Sequence, residues 1–130
     1  MRYFIFLFTV CLTGCLYYSG TVDIDLRWED QYNRFTSCRQ AGVDMMYWRI
    51  TDTYGDVIKE SYGMVSCRDN ITRNLRVDDD YNLEIEGYEY DYWDDAYYIE
   101  WEALCTGIRA EPYEHRQHTC EVQRYPVHLW

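Results

Sequence analysis

The residues best suited to chemistry lie between Arg76 and Arg109, a stretch with eleven carboxylates and no basic residue. Two groups fall in turn-like segments, and if those turns converge their oxygens would suit Ca²⁺, which prefers hard oxygen ligands. The calcium-loop signature D-x-[DN]-x-[DN]-G is absent, and a solvated acidic edge that keeps sheets from pairing is the preferred interpretation. The calcium candidates are Asp78, Asp80, Asp91 and Asp94. No cofactor is expected.

Eight Tyr and Trp side chains are interleaved with these acids between Tyr81 and Trp101, more than one sheet face can readily bury. Exposed aromatic rings beside carboxylates could stack on sugar rings or bind a cationic partner. The competing interpretation is a small core in which Tyr replaces aliphatic residues. The candidate binding surface consists of Tyr88, Tyr90, Tyr92, Trp93, Tyr98 and Glu100.

The histidines do not form a convincing site. His115 and His118 are three residues apart, so on a strand they point to opposite faces, and we expect them and His128 at the surface. No catalytic residue is predicted, and the protein is expected not to be an enzyme. A hydrolase stays open as an alternative because any acidic chain offers Glu and Asp pairs. The net charge of −11 argues against nucleic acid as a partner, since an acidic surface repels phosphates.

The N-terminus has the pattern of a signal peptide, with Arg2 followed by an uncharged, mostly apolar run from Tyr3 to Leu12. This run is about half the ~20 residues that a transmembrane helix needs. Leu12-Thr13-Gly14-Cys15 resembles the lipobox of bacterial lipoproteins. The resemblance implies that residues 1–14 are removed, that Cys15 carries diacylglyceryl and acyl (palmitate) chains, and that residues 15–20 are a short tether.

In that family, a residue other than Asp after the lipidated cysteine favours the outer membrane, and here it is Leu16. The resemblance therefore implies a membrane-anchored, periplasmic or surface-exposed protein. An ordinary secretory signal that is cleaved beside a cysteine is the alternative.

Four cysteines remain in the mature chain if Cys11 leaves with the signal and Cys15 is lipidated. An exported location permits disulfides, and four cysteines allow three pairings. The sequential pairing closes two loops that strand pairs could span, so we expect Cys38–Cys67 and Cys105–Cys120. The gaps do not match the close thiolate pairs of zinc sites, and no metal is expected there.

The pattern of the mature chain is that of an all-β protein. Val22, Ile24, Leu26 and Trp28 alternate with polar residues, which predicts a half-buried strand. Further strands are predicted at 43–51, 57–65, 70–77, 81–90, 97–105 and 118–124. No helical period of useful length occurs. About seven strands in residues 21–130 predict one antiparallel β-sandwich, immunoglobulin-like or transthyretin-like, stapled by two disulfides.

The order of these features resembles small β-sandwich lipoproteins of Gram-negative bacteria. It rests on the 22–28 strand, Cys38 followed by Ala41-Gly42-Val43, Cys67, and the strand from Tyr81. We therefore expect a non-enzymatic cell-envelope module that contacts envelope proteins or glycans. The alternative is a carbohydrate- or calcium-binding module.

Overall fold

The computed structural model describes residues 18–35 and 37–124, which form an all-β domain. The strands of this part are β1 (Ser19–Glu29), β2 (Arg34–Phe35), β3 (Met45–Thr51), β4 (Val57–Glu60), β5 (Val65–Ser66), β6 (Asn70–Arg76), β7 (Tyr81–Asp91), β8 (Ala96–Ile108) and β9 (His115–Arg124). Seven of these strands have four or more residues, in agreement with the expectation of about seven. Both β2 and β5 have only two residues, too few to produce an alternating pattern in the sequence.

Strand β1 follows directly from its sequence. Its apolar residues Val22, Ile24, Leu26 and Trp28 are all buried, and their polar neighbours line the other face. The strand starts at Ser19, which pairs with Arg76 of β6, so the last two residues of the segment 15–20, expected as a tether, belong to β1.

The hydrogen-bonded strands follow the order β2-β1-β9-β8-β7-β3-β4, with β6 also paired to β1 and β5 also paired to β3. The continuous path folds over on itself into two layers, because Trp28 of β1 packs on Trp101 of β8 and Arg73 of β6 packs on Trp48 of β3. One layer contains β1, β6 and β9, and the other contains β8, β7, β3 and β4. Strands β1 and β9 run parallel, whereas the other pairs in the described part are antiparallel. The prediction of an antiparallel sandwich missed this pair because side-chain alternation does not encode the direction of a neighbouring strand.

The inner faces of the two layers share one hydrophobic core. Trp28 of β1 meets Trp101 of β8 edge to face, with ring centroids 5.7 Å apart. Gly87 of β7 lies beside this pair, and a Cβ there would come within 2.9 Å of the Trp101 Cβ. The close approach of the two indoles therefore depends on the missing side chain at position 87.

Two disulfides hold the domain together, Cys38–Cys67 and Cys105–Cys120, which is the sequential pairing that the sequence predicted. The first joins the segment before β3 to the one after β5. The second joins β8 to β9, whose ladder has only two paired positions, Trp101 with Arg124 and Glu102 with Gln123. The disulfide therefore reinforces the short junction between the layers.

A bulge changes the faces of β8. Gly87 pairs with Trp101 but Tyr88 pairs with Ile99, so Glu100 is an extra residue in the ladder. Simple alternation along the predicted strand 97–105 would place Tyr97 and Ile99 on the same face as Trp101, and the bulge prevents this. Tyr98 lies opposite Glu89 on the Trp101 side, and Tyr97 lies opposite Tyr90 on the other side.

Within the described residues, no helix is long and apolar enough to span a membrane.

Candidate functional site

The turn between β7 and β8 is shaped by a carboxylate. The Asp91 Oδ1 accepts hydrogen bonds from the backbone N–H of Trp93 at 2.8 Å and of Asp94 at 3.3 Å, as in an Asx turn. Asp95 follows with a φ of 51°, a left-handed conformation that Asp tolerates. This turn leaves Trp93 98% exposed and Tyr92 87% exposed.

One face of the hairpin carries contacting tyrosines. Tyr90 meets Tyr92 and Tyr97 edge on, with ring centroids 4.9 Å and 5.1 Å away. The hydroxyl of Tyr90 donates to Asp95, and that of Tyr88 donates to a Glu86 oxygen at 2.6 Å. These contacts fix the rings, so the face is an ordered aromatic surface with carboxylates beside the hydroxyls.

The other face forms a shallow depression of about 310 Å³, which contains a half-buried carboxylate. Glu89 accepts a hydrogen bond from the Trp101 Nε1–H at 3.2 Å and lies 3.2 Å from an Arg124 nitrogen. Burial is the main reason that the pKa of Glu89 is raised, and Arg124 and the Trp101 bond oppose the rise. Both contacts use Oε2, so Oε1 is the oxygen that remains for a further cationic group.

The rim of the depression is built by residues from both strands. The Tyr98 hydroxyl donates to Asp94 at 2.8 Å, and this bond is the main reason that the pKa of Tyr98 is raised. Arg124 also lies 4.0 Å from Glu100 and 5.6 Å from the ring centre of Trp101. We call the depression and its rim the hairpin surface; it is lined by Glu89, Tyr90, Asp91, Tyr92, Trp93, Tyr98, Glu100 and Arg124.

The structure brings together five of the six residues predicted as a binding surface. The exception is Tyr88, which shares a face with Tyr90 but does not line the depression; it pairs with Ile99, farther from the turn. Sequence reasoning missed Glu89 and Arg124. Arg124 reaches the site because β9 lies beside β8, a neighbourhood that no local pattern reveals.

The acidic stretch also has internal partners that the sequence did not suggest. Arg124 pairs with Glu89, Arg49 pairs with Glu84, and Arg109 pairs with Asp80. All three arginines come from outside the acidic stretch. The stretch has no basic residue of its own, but the fold brings these arginines to three of its carboxylates.

The calcium candidates do not converge. Asp78 and Asp80 precede β7, whereas Asp91 and Asp94 lie at its far end. Strand β7 has 11 residues, which at about 3.4 Å per residue separates the two turns by roughly 35 Å. Among the described residues, no group of three or more His, Cys, Asp or Glu side chains could hold a metal ion.

The histidine prediction agrees with strand β9. His115 and His118 lie on opposite sides of it, and His115 is exposed while His118 is partly buried. His128 lies outside the described residues. So do Cys15 and the segment 1–14, and their lipidation and cleavage therefore stay predictions.

No protein-family model and no curated protein matches the chain. Among solved structures it is similar to GBS52, the minor pilin of the Gram-positive pathogen Streptococcus agalactiae, with a TM-score of 0.51 and 15% identity. The match covers 88% of this chain and 48% of the pilin, so the chain spans about half of that protein's length. At this identity the likeness concerns the fold, and it agrees with an immunoglobulin-like β-sandwich.

Proposed function

We propose that the protein is a non-enzymatic interaction module of the bacterial cell envelope, and that it binds a basic partner through the hairpin surface. The observation that carries this proposal is the arrangement of the hairpin, where Trp93 is 98% exposed and lines the same depression as a half-buried carboxylate, Glu89. An exposed indole pairs favourably with cationic side chains, and a partly desolvated carboxylate binds them more strongly than a fully hydrated one.

The proposed location rests on the N-terminal sequence. The lipobox-like Leu12 to Cys15 supports a lipid anchor, and Leu16 supports the outer membrane. The sandwich likeness to a pilin is compatible with a surface protein, and the two disulfides suit an exported one. Because β1 begins at Ser19, the anchor would hold the domain close to the membrane.

Carbohydrate is the second candidate ligand. Tyr92 and Trp93 present open rings beside Asp91 and Glu100, and such aromatic and carboxylate pairs can stack on a sugar and bind its hydroxyls. The same surface would serve both ligands, so the test must include both.

The test is a calorimetric titration of the full chain carrying Cys15→Ser, which removes the expected lipid. The titrants are a short peptide rich in Lys and Arg and a panel of envelope glycans. We expect the peptide to bind, and Trp93→Ala to weaken it by about tenfold or more, as for a central aromatic contact. The pair Tyr98→Ser with Glu100→Gln should also weaken it with little change in the melting temperature.

The matched control is Tyr54→Ala, which removes an aromatic ring that is 85% exposed but lies in the β3–β4 turn. It should leave peptide binding unchanged. Glycan binding without peptide binding would overturn the proposal in favour of the second candidate. Equal losses in Tyr54→Ala, or a loss only after substitution of His115 and His118, would place the site elsewhere.

A further inference from the structure

A second surface of this acidic protein is basic. It is a groove of about 670 Å³ between edge strand β4 of one layer and strand β6 of the other. Trp48, Ile58 and Tyr62 give it apolar area, and Lys59, Arg68 and Arg73 contribute positive charge. Its one carboxylate is Glu60, which accepts a hydrogen bond from the Tyr47 hydroxyl at 2.6 Å, so cations outnumber acids three to one among the lining residues. Tyr62 is 93% exposed and Ile58 is 42% exposed, so this apolar area is open to a partner.

The three cations of the groove lack internal counter-charges. Within the described residues, no carboxylate lies at ion-pair distance from Lys59, Arg68 or Arg73. Arg73 instead stacks 4.8 Å from the Trp48 ring centre and donates a hydrogen bond to the Thr72 carbonyl. In a chain with 23 acids and 12 Lys and Arg, three neighbouring unneutralised cations are unexpected.

The groove is also flanked by a free sheet edge. Strand β4 ends the strand order of its layer, and all four of its residues are exposed. Val57 is 47% exposed and gives this edge further apolar area. Proteins commonly protect such edges because the unpaired backbone groups attract another strand.

The hairpin tip has the complementary chemistry. It presents an exposed indole, Trp93, among the carboxylates of Asp91, Asp94 and Asp95. The indole matches an apolar area with guanidinium groups, and the carboxylates match Lys and Arg. Their hydrogen bonds to backbone and tyrosine groups orient these carboxylates without cancelling their charge.

We propose that the groove receives the β7–β8 hairpin tip of a second copy of the protein. The two surfaces of one copy cannot meet. Trp48 pairs with Ile85, six residues before Asp91, which places the groove about 20 Å along β7 from the tip. The contact therefore joins different patches on two copies. Such a contact builds rings or open chains unless two copies exchange tips reciprocally, in which case it closes as a dimer. This inference rests on the proposed function because it assigns a partner to the same hairpin.

The experiment is a mixing test by sedimentation velocity, with all chains carrying Cys15→Ser. The groove variant combines Lys59→Ser and Arg68→Ser, both on exposed side chains, and leaves Arg73 on Trp48. The tip variant combines Trp93→Ala and Asp94→Ser. We expect the parent, which carries only Cys15→Ser, to form concentration-dependent oligomers. These should dissociate in high salt, because the contact is electrostatic. Each variant alone should be monomeric.

An equimolar mixture of the two variants should form only dimers, since each retains one intact half of the contact. A monomeric parent at all concentrations would overturn the inference, as would variants that associate like the parent. A mixture that stays monomeric would exclude the tip-to-groove pairing. Tyr54→Ala is the surface control and should oligomerise normally.

The two proposals fail separately. The groove variant should still bind the Lys- and Arg-rich peptide, because its hairpin surface is intact. Peptide binding by a monomeric parent would leave the proposed function standing without this partner. Oligomers without peptide binding would support the pairing and contradict a general preference for basic partners.

Discussion

At the scale of single residues, the chemistry of the site depends on Glu89. The sequence shows it as one of eleven similar acids, and its alternation with Tyr88 and Tyr90 gives no hint of its role. In the fold it accepts the Trp101 indole N–H and pairs with Arg124. What distinguishes Glu89 is its burial, which results from the packing of three strands and is not encoded locally.

Burial of Glu89 predicts a pH dependence of stability. Its pKa is raised above the ordinary 4.5, so the folded protein binds this proton more tightly than the unfolded chain does. Glu89 therefore favours folding below pH 4.5, and this contribution is lost as the pH rises through the raised pKa. The free energy of unfolding in urea, relative to Glu89→Gln, should fall across this window.

Arg124→Gln serves as the control, because the positive charge of Arg124 lowers the pKa of Glu89. Its removal should extend the fall to higher pH. If instead the parent became more stable relative to Glu89→Gln as the pH rises, burial would not be the main influence on the pKa of Glu89.

Gly87 is the other position where one residue decides the packing. In Gly87→Ala the new Cβ would lie 2.9 Å from the Trp101 Cβ and 3.1 Å from the Trp28 Cζ3. We expect a loss of about 1–3 kcal/mol in the free energy of unfolding, typical of an overpacked core. The loss should be smaller in a Trp28→Phe background, which removes the Cζ3 contact. Strand propensity alone predicts that Gly87→Ala stabilises the protein. That result would show that the two indoles can move to make room for the new Cβ.

At the scale of elements, the long strands follow from alternation of apolar and polar residues, as in β1 and in β7, where Leu83 and Ile85 are buried. The bulge at Glu100 was not predictable, because an extra residue leaves no signature in the polarity of Tyr97 to Trp101. The disulfide pairing was predictable because each pair of consecutive cysteines closes a loop that a pair of strands can span.

The Cys105–Cys120 disulfide should matter for both stability and binding. It closes a loop with a sequence separation of 15, for which loop entropy gives about 3 kcal/mol of stabilisation. Its removal by Cys105→Ala with Cys120→Ala should lower the free energy of unfolding and also weaken peptide binding, because the short β8–β9 junction positions Arg124.

The matched variant is Cys38→Ala with Cys67→Ala. Its sequence separation is 29, and loop entropy gives a similar loss of about 3.5 kcal/mol. This disulfide does not join β9, so Arg124 keeps its place, but the segment after Cys38 contacts the hairpin, where Asp44 accepts a hydrogen bond from the Tyr90 N–H. Binding at a temperature where the domain is folded should therefore fall less than in the first variant. Equal effects of the two variants on binding would mean that the junction does not position the site.

At the scale of the whole molecule, the topology creates features that no segment carries. The parallel pairing of β1 with β9 puts β9 beside β8 and so brings Arg124 to the hairpin. The length of β7 keeps the two acidic turns apart, so Asp78 and Asp91 do not meet as the calcium alternative required. Charge is likewise sorted in space, with a basic groove on a chain whose net charge is −11.

The most direct test of the central claim follows the five Trp indole N–H signals by NMR in the full chain carrying Cys15→Ser. It uses the groove variant, Lys59→Ser with Arg68→Ser, so that association between copies does not move the signals. On addition of the Lys- and Arg-rich peptide, the signal of Trp93 should shift, together with that of Trp101, whose indole is bonded to Glu89. The signal of Trp48, in the basic groove, should stay in place. Shifts at Trp48 with an unchanged Trp93 would contradict a binding site on the hairpin surface.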